Sequence, residues 1–188
     1  MSLHPLGAPV PEMLRTERLL LRPLLTSDAG LDYDAVMSDP AALRRWSQAS
    51  WPADDFTLDE NRADLERHER EHREGVAFTF TVLSPDGSRC LGCVYVQPVR
   101  AEVLPHVPSS RWPTQVAFWV RASEVASELD RHLLATLRNW FAADWRFDLV
   151  LFAVAVGDAR QRELMAESGL ARRAEVTLAD GRRCAIHF

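Results

Sequence analysis

Two histidines and a glutamate in one charged segment have the spacing of a zinc hydrolase motif. His68, Glu69 and His72 form the pattern HExxH. On a helix, this spacing places both histidines on one face, where they can bind zinc while the glutamate serves as general base. The charged residues at the two intervening positions indicate a solvated helix instead, and the longer form of the motif requires a third histidine where Phe78 stands. We therefore expect no metal, and a zinc hydrolase is the remote alternative.

Cys90 and Cys93 are spaced like a metal-binding or redox pair. They lie in an apolar run that is typical of a β-strand, and side chains three positions apart on a strand point to opposite faces. The third cysteine, Cys184, is distant, and no second CxxC completes a zinc site. The cysteines are therefore predicted to pack in the core as reduced thiols, which agrees with a cytoplasmic protein.

The composition excludes several kinds of chemistry. All 22 basic residues are arginine, so the chain has no lysine for a Walker A nucleotide loop or for a Schiff base. The formal net charge of −5 disfavours a nucleic-acid-binding protein, because binding to phosphates needs a basic face. The longest apolar run, Leu149 to Val156, is far shorter than the roughly 20 residues of a membrane helix. We expect neither nucleic acid nor a membrane as partner.

The length of 188 residues suits one domain with a sizeable core. Residues 1–11 contain three prolines and lack the pattern of an export signal. We predict a flexible N-terminal extension over residues 1–13, a single domain over residues 14–188, and a cytoplasmic location.

Hydrophobic periodicity and capping signals predict the elements that must position any site. The predicted strands are residues 16–25, 76–83, 90–99, 114–121, 149–156, 170–178 and 182–188. The predicted helices are residues 28–37, 57–74, 127–145 and 158–169, and residues 41–51 are predicted to form a short helix and a loop. Consecutive strands with short links are most simply antiparallel, whereas the strand–helix–strand passage after Thr114 is most simply parallel. The predicted fold class is therefore α/β with a mixed sheet.

This order and four short segments resemble the GNAT acyltransferase superfamily. The segment LRTERLLLRPL at 14–24 is similar to the first strand of the Rim-type branch, whose members acetylate the N-termini of ribosomal proteins. DEN at 59–61, LGCVY at 91–95 and FWVR at 118–121 also resemble that branch. The resemblance implies about six to seven strands, antiparallel at the N-terminal end, with a central parallel unit made of the family's fourth strand, third helix and fifth strand.

The resemblance also implies acetyl-CoA as a substrate that lies between the fourth and fifth strands. The fourth-strand backbone around Phe118, Trp119, Val120 and Arg121 would then hold the thioester. In the family, the pyrophosphate is bound by a glycine-rich turn at the start of the next helix, where free amides and the helix dipole favour an anion.

The chain departs from the family at that turn. Alignment to the family pattern Arg/Gln-x-x-Gly-x-Gly/Ala places Val125 at the Arg/Gln position and places Glu128 and Asp130 at the two glycine positions. A carboxylate near a phosphate weakens binding, by about 1 kcal/mol at 4 Å in water and by more where the pair is buried. The tyrosine that serves many members as general acid is replaced by Met165.

Two interpretations of function follow. The first is an N-acyltransferase that acetylates a small-molecule or peptide amine, in which Arg121, Arg131 or Arg160 contacts the phosphates. Its general base would be Glu102 or His106 in the link before the fourth strand. The alternative is a protein with this fold but without acetyl-CoA chemistry, which binds a small ligand or a protein in the same cleft.

Three tryptophans fall in segments that are predicted to be loops. Trp46, Trp51 and Trp112 could line a substrate cleft there, although packing beneath a loop is the favoured interpretation. An exposed aromatic patch could equally form the surface of a homodimer, a state that is common in similar proteins.

Overall fold

The computed structural model of the protein describes Leu3 and residues 9–188. Its strands are β1 (Leu14–Arg15), β2 (Leu20–Pro23), β3 (Phe78–Leu83), β4 (Cys90–Pro98), β5 (Pro113–Val120), β6 (Leu149–Ala155), β7 (Arg172–Thr177) and β8 (Arg183–His187). Its helices are α1 (Ala29–Val36), α2 (Pro40–Ser47), α3 (Leu58–Glu74), α4 (Ala122–Val125), α5 (Leu129–Asp144) and α6 (Ala159–Glu167). Short 3₁₀ turns cover Thr26–Asp28 and Leu104–His106.

The eight strands form one mixed sheet in the order β1-β2-β3-β4-β5-β6-β8-β7. Neighbouring strands are antiparallel except β5 and β6, which are parallel and are joined through α4 and α5. The predicted mixed α/β fold is therefore confirmed. The predicted count of six to seven strands is too low, because β1 precedes the first predicted strand, residues 16–25, of which only Leu20–Pro23 form β2. A turn in which Thr16 N–H donates to Leu19 O joins β1 to β2.

Local side-chain hydrogen bonds explain where the main helices begin and end. Thr57 and Glu60 form a capping box at the start of α3, and Gly75 ends that helix in the left-handed conformation. Asp39 and Asp158 cap α2 and α6 by accepting backbone N–H groups of the first turn. The predicted bounds of these helices are accordingly close to the observed ones.

The sheet is covered on both faces. On one face α5 and α6 pack against aromatic side chains of the central strands, with Leu133 and Leu164 meeting Phe80, Phe118 and Phe152 in one buried cluster. On the other face α1, α2 and α3 cover Leu20, Cys90, Cys93 and Trp119. Among the described helices, none is long and apolar enough to cross a bilayer.

A bulge in β4 corrects the prediction for the cysteine pair. The register between β3 and β4 shifts by one residue between Cys90 and Gly92, which leaves Leu91 without a partner on β3. Cys90 and Cys93 therefore lie on the same face, in the cluster beneath α1–α3, and do not point to opposite faces as predicted. Burial raises the pKa of the Cys90 thiol to about 11, so this thiol stays protonated at neutral pH and contributes as a packing residue.

The predicted N-terminal extension falls partly on residues 1, 2 and 4–8, which lie outside the described part of the chain. Leu3 belongs to the predicted extension and is described. It is buried in the core, and its N–H donates to Gly75 O at 2.8 Å. This contact joins the start of the chain to the end of α3.

Gly92 allows β4 and β5 to approach closely, and its substitution tests this packing. A Cβ atom at this position would lie 2.1 Å from Trp119 O and 2.9 Å from Val120 Cα. Since backbone cannot move away as a side chain can, we expect Gly92→Ala to lower the free energy of unfolding by about 3 kcal/mol in urea denaturation.

Gly30→Ala is the matched control. Gly30 lies in α1, and nothing lies within 4 Å of a Cβ added there. Alanine should stabilise that helix by about 0.5–1 kcal/mol. Equal effects of the two substitutions would contradict the close approach at Gly92.

Candidate active site

The central strands β5 and β6 separate after the pair Val116 and Phe152. Their parallel pairing ends there, although both strands continue. Past this point, the side of β5 that faces β6 has backbone groups without a strand partner. A gap therefore opens between the two strands toward the helices that follow them.

The hydrogen bonds of β5 show which backbone groups face the gap. The carbonyl of Phe118 accepts from Gln161 Nε2 at 2.7 Å across the gap, whereas Arg121 N–H donates at 2.8 Å to a carbonyl at the β4 side. Alternate residues of a strand direct their backbone groups to opposite neighbours. Phe118 and Val120 therefore face the gap, and the backbone groups of Trp119 and Arg121 face β4.

A cavity of about 420 Å³ lies at the ends of β5 and β6, and we call it the strand-end cavity. The end of β5, the first turn of α5, the start of α6 and one side of α2 line it. It includes Phe118 and Val120, so the unpaired side of β5 opens directly into this cavity.

Three carboxylates and two guanidinium groups line the strand-end cavity. Asp39 and Asp158 are engaged as helix caps. Asp130 is buried and accepts from Arg160 Nε and Nη2 at 2.8 and 3.0 Å. Arg45 is exposed, and no ion-pair partner is seen for it among the described residues. Arg45 is therefore the guanidinium in this cavity that is free for an anionic ligand.

The arginines predicted to contact phosphates are already paired. Arg121 is buried, and its guanidinium donates to Cys90 O and to Asp34 Oδ2, each at 2.5 Å. Arg131 contacts Glu128 at 3.2 Å, and Arg160 holds Asp130. Sequence reasoning missed Arg45 because α2 lies outside every motif that resembles the family.

The turn before α5 keeps a backbone shape that suits glycine. Glu128 has φ of +57° and ψ of +33° at the start of α5, a left-handed conformation that costs a non-glycine residue on the order of 1 kcal/mol. The alignment places a family glycine at this position, and glycine adopts this conformation without that cost.

A second cavity of about 440 Å³ lies on the sheet face that α1–α3 cover, and we call it the sheet-face cavity. Its floor is open because Ala117, Ala153 and Ala155 are small. The walls are α2 and α3 on one side and the turn between β7 and β8 on the other. Trp46 lines this cavity and the strand-end cavity, so the two adjoin at α2.

Polar groups in the sheet-face cavity differ in how well they are paired. Tyr95 Oη accepts from Trp119 Nε1 at 3.2 Å, and burial raises the pKa of Tyr95 well above its ordinary value. Gln115 is only 7% exposed, and its Oε1 is buried without a hydrogen-bond partner among the described residues. Because a buried polar atom is normally paired, Gln115 is available to a donor group of a ligand.

The HExxH residues are engaged separately. His68 Nδ1 lies 3.1 Å from the Thr79 hydroxyl, His72 packs against the aromatic rings of β3, and the Glu69 carboxylate accepts from Thr26 N–H and Oγ1–H. Both histidines face the sheet, so this side of α3 is packed and not solvated as predicted. Within the described residues, no three His, Cys, Asp or Glu side chains converge on a metal site.

The two predicted general bases lie outside both cavities. The Glu102 carboxylate accepts from Ala179 N–H at 2.8 Å, and His106 is exposed in the 3₁₀ turn after it. The role of Glu102 or His106 as general base remains a prediction. Met165, the residue that replaces the family tyrosine, is buried in the core.

Two of the three tryptophans considered for a substrate cleft line the sheet-face cavity. Trp46 and Trp51 belong to it, whereas Trp112 does not. The ring of Trp46 lies 5.7 Å from the ring of Tyr95. The cavity is thus aromatic at the end next to α2.

Comparison with protein families finds one matching model. Residues 18–171 match the acetyltransferase (GNAT) domain. Comparison with curated proteins finds no match.

Solved structures with a similar fold include several acetyltransferases. A ribosomal-protein-S5-alanine acetyltransferase from Vibrio fischeri aligns with a TM-score of 0.70 and 16% identity over 94% of this chain and 95% of its own. RimJ from Mycobacterium smegmatis aligns with a TM-score of 0.75 and 17% identity over 94% and 86% of the two chains. RimL, a ribosomal L7/L12 α-N-protein acetyltransferase in complex with coenzyme A, aligns with a TM-score of 0.73 and 14% identity over 94% of this chain and 96% of its own. At these identities the likeness establishes the fold alone.

The buried state of His68 predicts a pH dependence of stability. Burial lowers the pKa of His68 to about 4 from 6.5, so between these values the unfolded chain binds the proton and the folded protein does not. Stability is therefore lost as pH falls from 6.5 to 4, by about 3 kcal/mol for this residue. His68→Gln should remove that loss when free energies of unfolding are compared across this range.

Only the difference between wild type and variant isolates His68. Burial raises the pKa of Asp32 to about 6, which acts with the opposite sign over part of the same range. The matched control is His106→Gln, at an exposed position. Parallel stability curves for wild type and His68→Gln would contradict the burial of a neutral imidazole.

Proposed function

This chain belongs to the acetyltransferase (GNAT) domain family, and we propose that it transfers the acetyl group of acetyl-CoA to a primary amine. The observation that carries the proposal is the gap after Val116 and Phe152. It presents backbone groups of Phe118 and Val120 to the strand-end cavity, next to a second cavity of substrate size. One cavity for the acyl donor and an adjoining cavity for the acceptor is the arrangement that a direct transfer needs.

The strand-end cavity is our proposed site for acetyl-CoA. Its unpaired β5 backbone offers N–H groups, from Phe118 and Val120, to the thioester oxygen as charge develops there. Arg45 and Arg160 line the same cavity, and arginine suits phosphate groups. Gln161 Nε2 donates to the carbonyl of Phe118, so a ligand amide that binds this carbonyl either shares the oxygen with Gln161 or displaces it.

The sheet-face cavity is our proposed site for the amine. The amine nitrogen attacks the thioester carbonyl carbon, the C–S bond breaks, coenzyme A leaves as the thiol, and a base takes the proton that the nitrogen loses. Burial keeps His68 neutral at pH 7, but its low pKa makes it a weak base. Asp64 is the carboxylate that lines this cavity, and we propose it for this role alongside the predicted Glu102 and His106.

A second candidate function rests on the charge of the strand-end cavity. Asp39, Asp130 and Asp158 outnumber the two arginines there, which disfavours a polyanion such as coenzyme A. The second candidate function is therefore binding of a different small ligand or of a protein in the same cavities. Such a protein would have the same two cavities but would not transfer an acetyl group. The two functions differ in whether acetyl-CoA binds.

The remaining expectations about the whole protein also stand as proposals. A cytoplasmic location is supported by the three cysteines, which are free and buried, as suits a reducing compartment. A homodimer stays a prediction that sedimentation would test. A peptide or small-molecule amine is the proposed acceptor.

Acetyl-CoA should stabilise the protein against heat. With a dissociation constant near 10 μM, a concentration of 1 mM adds about 2.7 kcal/mol, which raises Tm by about 5–10 °C for a chain of this size. Release of free thiol from acetyl-CoA in the presence of amines would then show turnover. No shift in a protein that melts cooperatively would favour the second candidate function.

Charge substitutions in the strand-end cavity should alter acetyl-CoA affinity in opposite directions. Asp130→Asn removes a carboxylate and should tighten binding about fivefold, whereas Arg45→Gln should weaken it by a similar factor. Asp144→Asn at the other end of α5 and Arg70→Gln on α3 are matched controls outside the cavity. Titration calorimetry measures the dissociation constant of acetyl-CoA for all four variants. Identical dissociation constants would indicate that acetyl-CoA binds elsewhere.

The proton acceptor is tested by comparing two carboxylates. If Asp64 takes the proton, Asp64→Asn should lower kcat about tenfold or more, while Glu102→Gln leaves it unchanged. The reverse result would restore Glu102 as the base. Unfolding curves of both variants control for loss of structure.

A further inference from the structure

One end of the sheet-face cavity is basic. Arg100 and Arg182 both line it, and they share one carboxylate, that of Asp180. Arg182 Nη2 lies 2.7 Å and Arg100 Nη1 lies 3.7 Å from Asp180 Oδ2. These guanidinium groups lower the pKa of Asp180 to about 2, so Asp180 is ionised at neutral pH. Glu102 also interacts with Arg100 and Asp180, but neither of these carboxylates lines the cavity. The charged side chains that line this end are therefore the two guanidinium groups.

The opposite end of the same cavity has charged side chains of both signs. Arg67 on α3 lies 3.6 Å from Asp64 and 3.4 Å from Glu71. His68 beside them is neutral, because burial lowers its pKa to about 4. Glu71 does not line the cavity, so the charged side chains that line this end are Arg67 and Asp64, one of each sign. The cavity therefore has a positive end at the β7–β8 turn and a neutral end at α3.

The floor between the two ends is open and has a hydrogen-bond acceptor without a donor. Ala117, Ala153 and Ala155 leave space across β5 and β6. Gln115 lies on β5 just before the gap, is more than nine-tenths buried, and has an Oε1 atom without a partner in the described part of the chain. A ligand N–H group placed over β5 would satisfy that oxygen.

The spacing between the reactive position and the basic end is set by the sheet. From β5 to β8 the order is β5-β6-β8, and neighbouring strands lie about 4.8 Å apart. Arg182 precedes Cys184, the β8 residue on the cavity floor, by two positions. Two strand spacings amount to roughly 10 Å across the sheet, and the separation of β5 from β6 and the offset of Arg182 from Cys184 both add to this distance. An anion at Arg182 therefore lies roughly 10 Å or more from an amine over β5, the length of about three or more extended residues.

We propose that the sheet-face cavity selects an acceptor amine that carries a carboxylate roughly 10 Å or more from its nitrogen, with Arg182 and Arg100 as the residues that bind the carboxylate. The proposal rests on the proposed acetyl transfer and names its substrate class. The chemistry has two sources. One is a peptide N-terminus followed by an acidic side chain, and the other is a small amine with a carboxylate at the same separation.

Matched amines test the selection and separate the two sources. The first pair is C-terminally amidated alanyl-glutamyl-alanine and alanyl-glutaminyl-alanine. The second pair is 8-aminooctanoic acid and its amide. Within at least one pair, kcat/KM for the carboxylate should exceed that for the neutral amine by about tenfold to a hundredfold, the effect of a charge-assisted hydrogen bond. The pair that shows the ratio identifies the source.

Substitution of one arginine should abolish the ratio. Arg182→Gln should reduce the carboxylate preference to near one, and Arg182→Lys should restore part of it. The matched control is Arg183→Gln, since Arg183 pairs with Glu175 and lies outside the cavity. If Arg182→Gln unfolds, Arg100→Gln takes its place, with Tm measured for each variant.

Binding without turnover separates this proposal from the proposed function. Calorimetry with the same amines in the absence of acetyl-CoA should show the carboxylate preference in Kd. Acetyl transfer without any preference would overturn the selection of anions and leave the transferase intact. A preference in Kd without transfer to any amine would support the anion site and overturn the transferase. Equal Kd values within both pairs, together with equal rates, would overturn this proposal.

Discussion

The separation of β5 and β6 imposes a requirement that the rest of the site has to meet. Where parallel pairing stops, backbone N–H and C=O groups of β5 lose their partners, and a buried polar group without a partner costs about 1–3 kcal/mol. Gln161, at the start of α6, donates to the carbonyl of Phe118 and so meets part of this requirement. The remaining groups open into a cavity. The fold thus keeps a short stretch of unpaired strand beside the cavity, where amide and carbonyl groups of a ligand can form hydrogen bonds with it.

The charges around that cavity compensate one another. A carboxylate at a turn that binds phosphate in the family would oppose an anion, but Asp130 is held by Arg160 at 2.8 Å. The pair leaves the first turn of α5 locally neutral while keeping a guanidinium beside the cavity. The turn itself has a left-handed backbone at Glu128. Gln48, the other non-glycine residue with positive φ among the described residues, ends α2 and lines the second cavity, so backbone strain is concentrated at both sites.

Elements with local signals could be predicted from the sequence, whereas features that depend on distant partners could not. The bounds of α3 followed from Thr57 and Gly75, and the parallel unit followed from the order of apolar segments. The bulge at Leu91 depends on the register between β3 and β4, so the side on which Cys90 lies was predicted wrongly. The position of Arg45 in the cavity depends on how α2 packs over the sheet. The hydrophobic periodicity of the α2 segment does not predict this packing.

The shared wall formed by Trp46 has a thermodynamic consequence. A side chain that borders two cavities cannot change position for one ligand without changing the shape offered to the other. Binding at the two sites is then linked, and this linkage is reciprocal. Each ligand changes the affinity of the protein for the other ligand by the same factor. Since α2 is anchored by Arg44 to Pro52 and Asp54, this coupling would pass through a short, fixed helix. The size of the mutual effect of the two ligands on each other's affinity would then depend on α2.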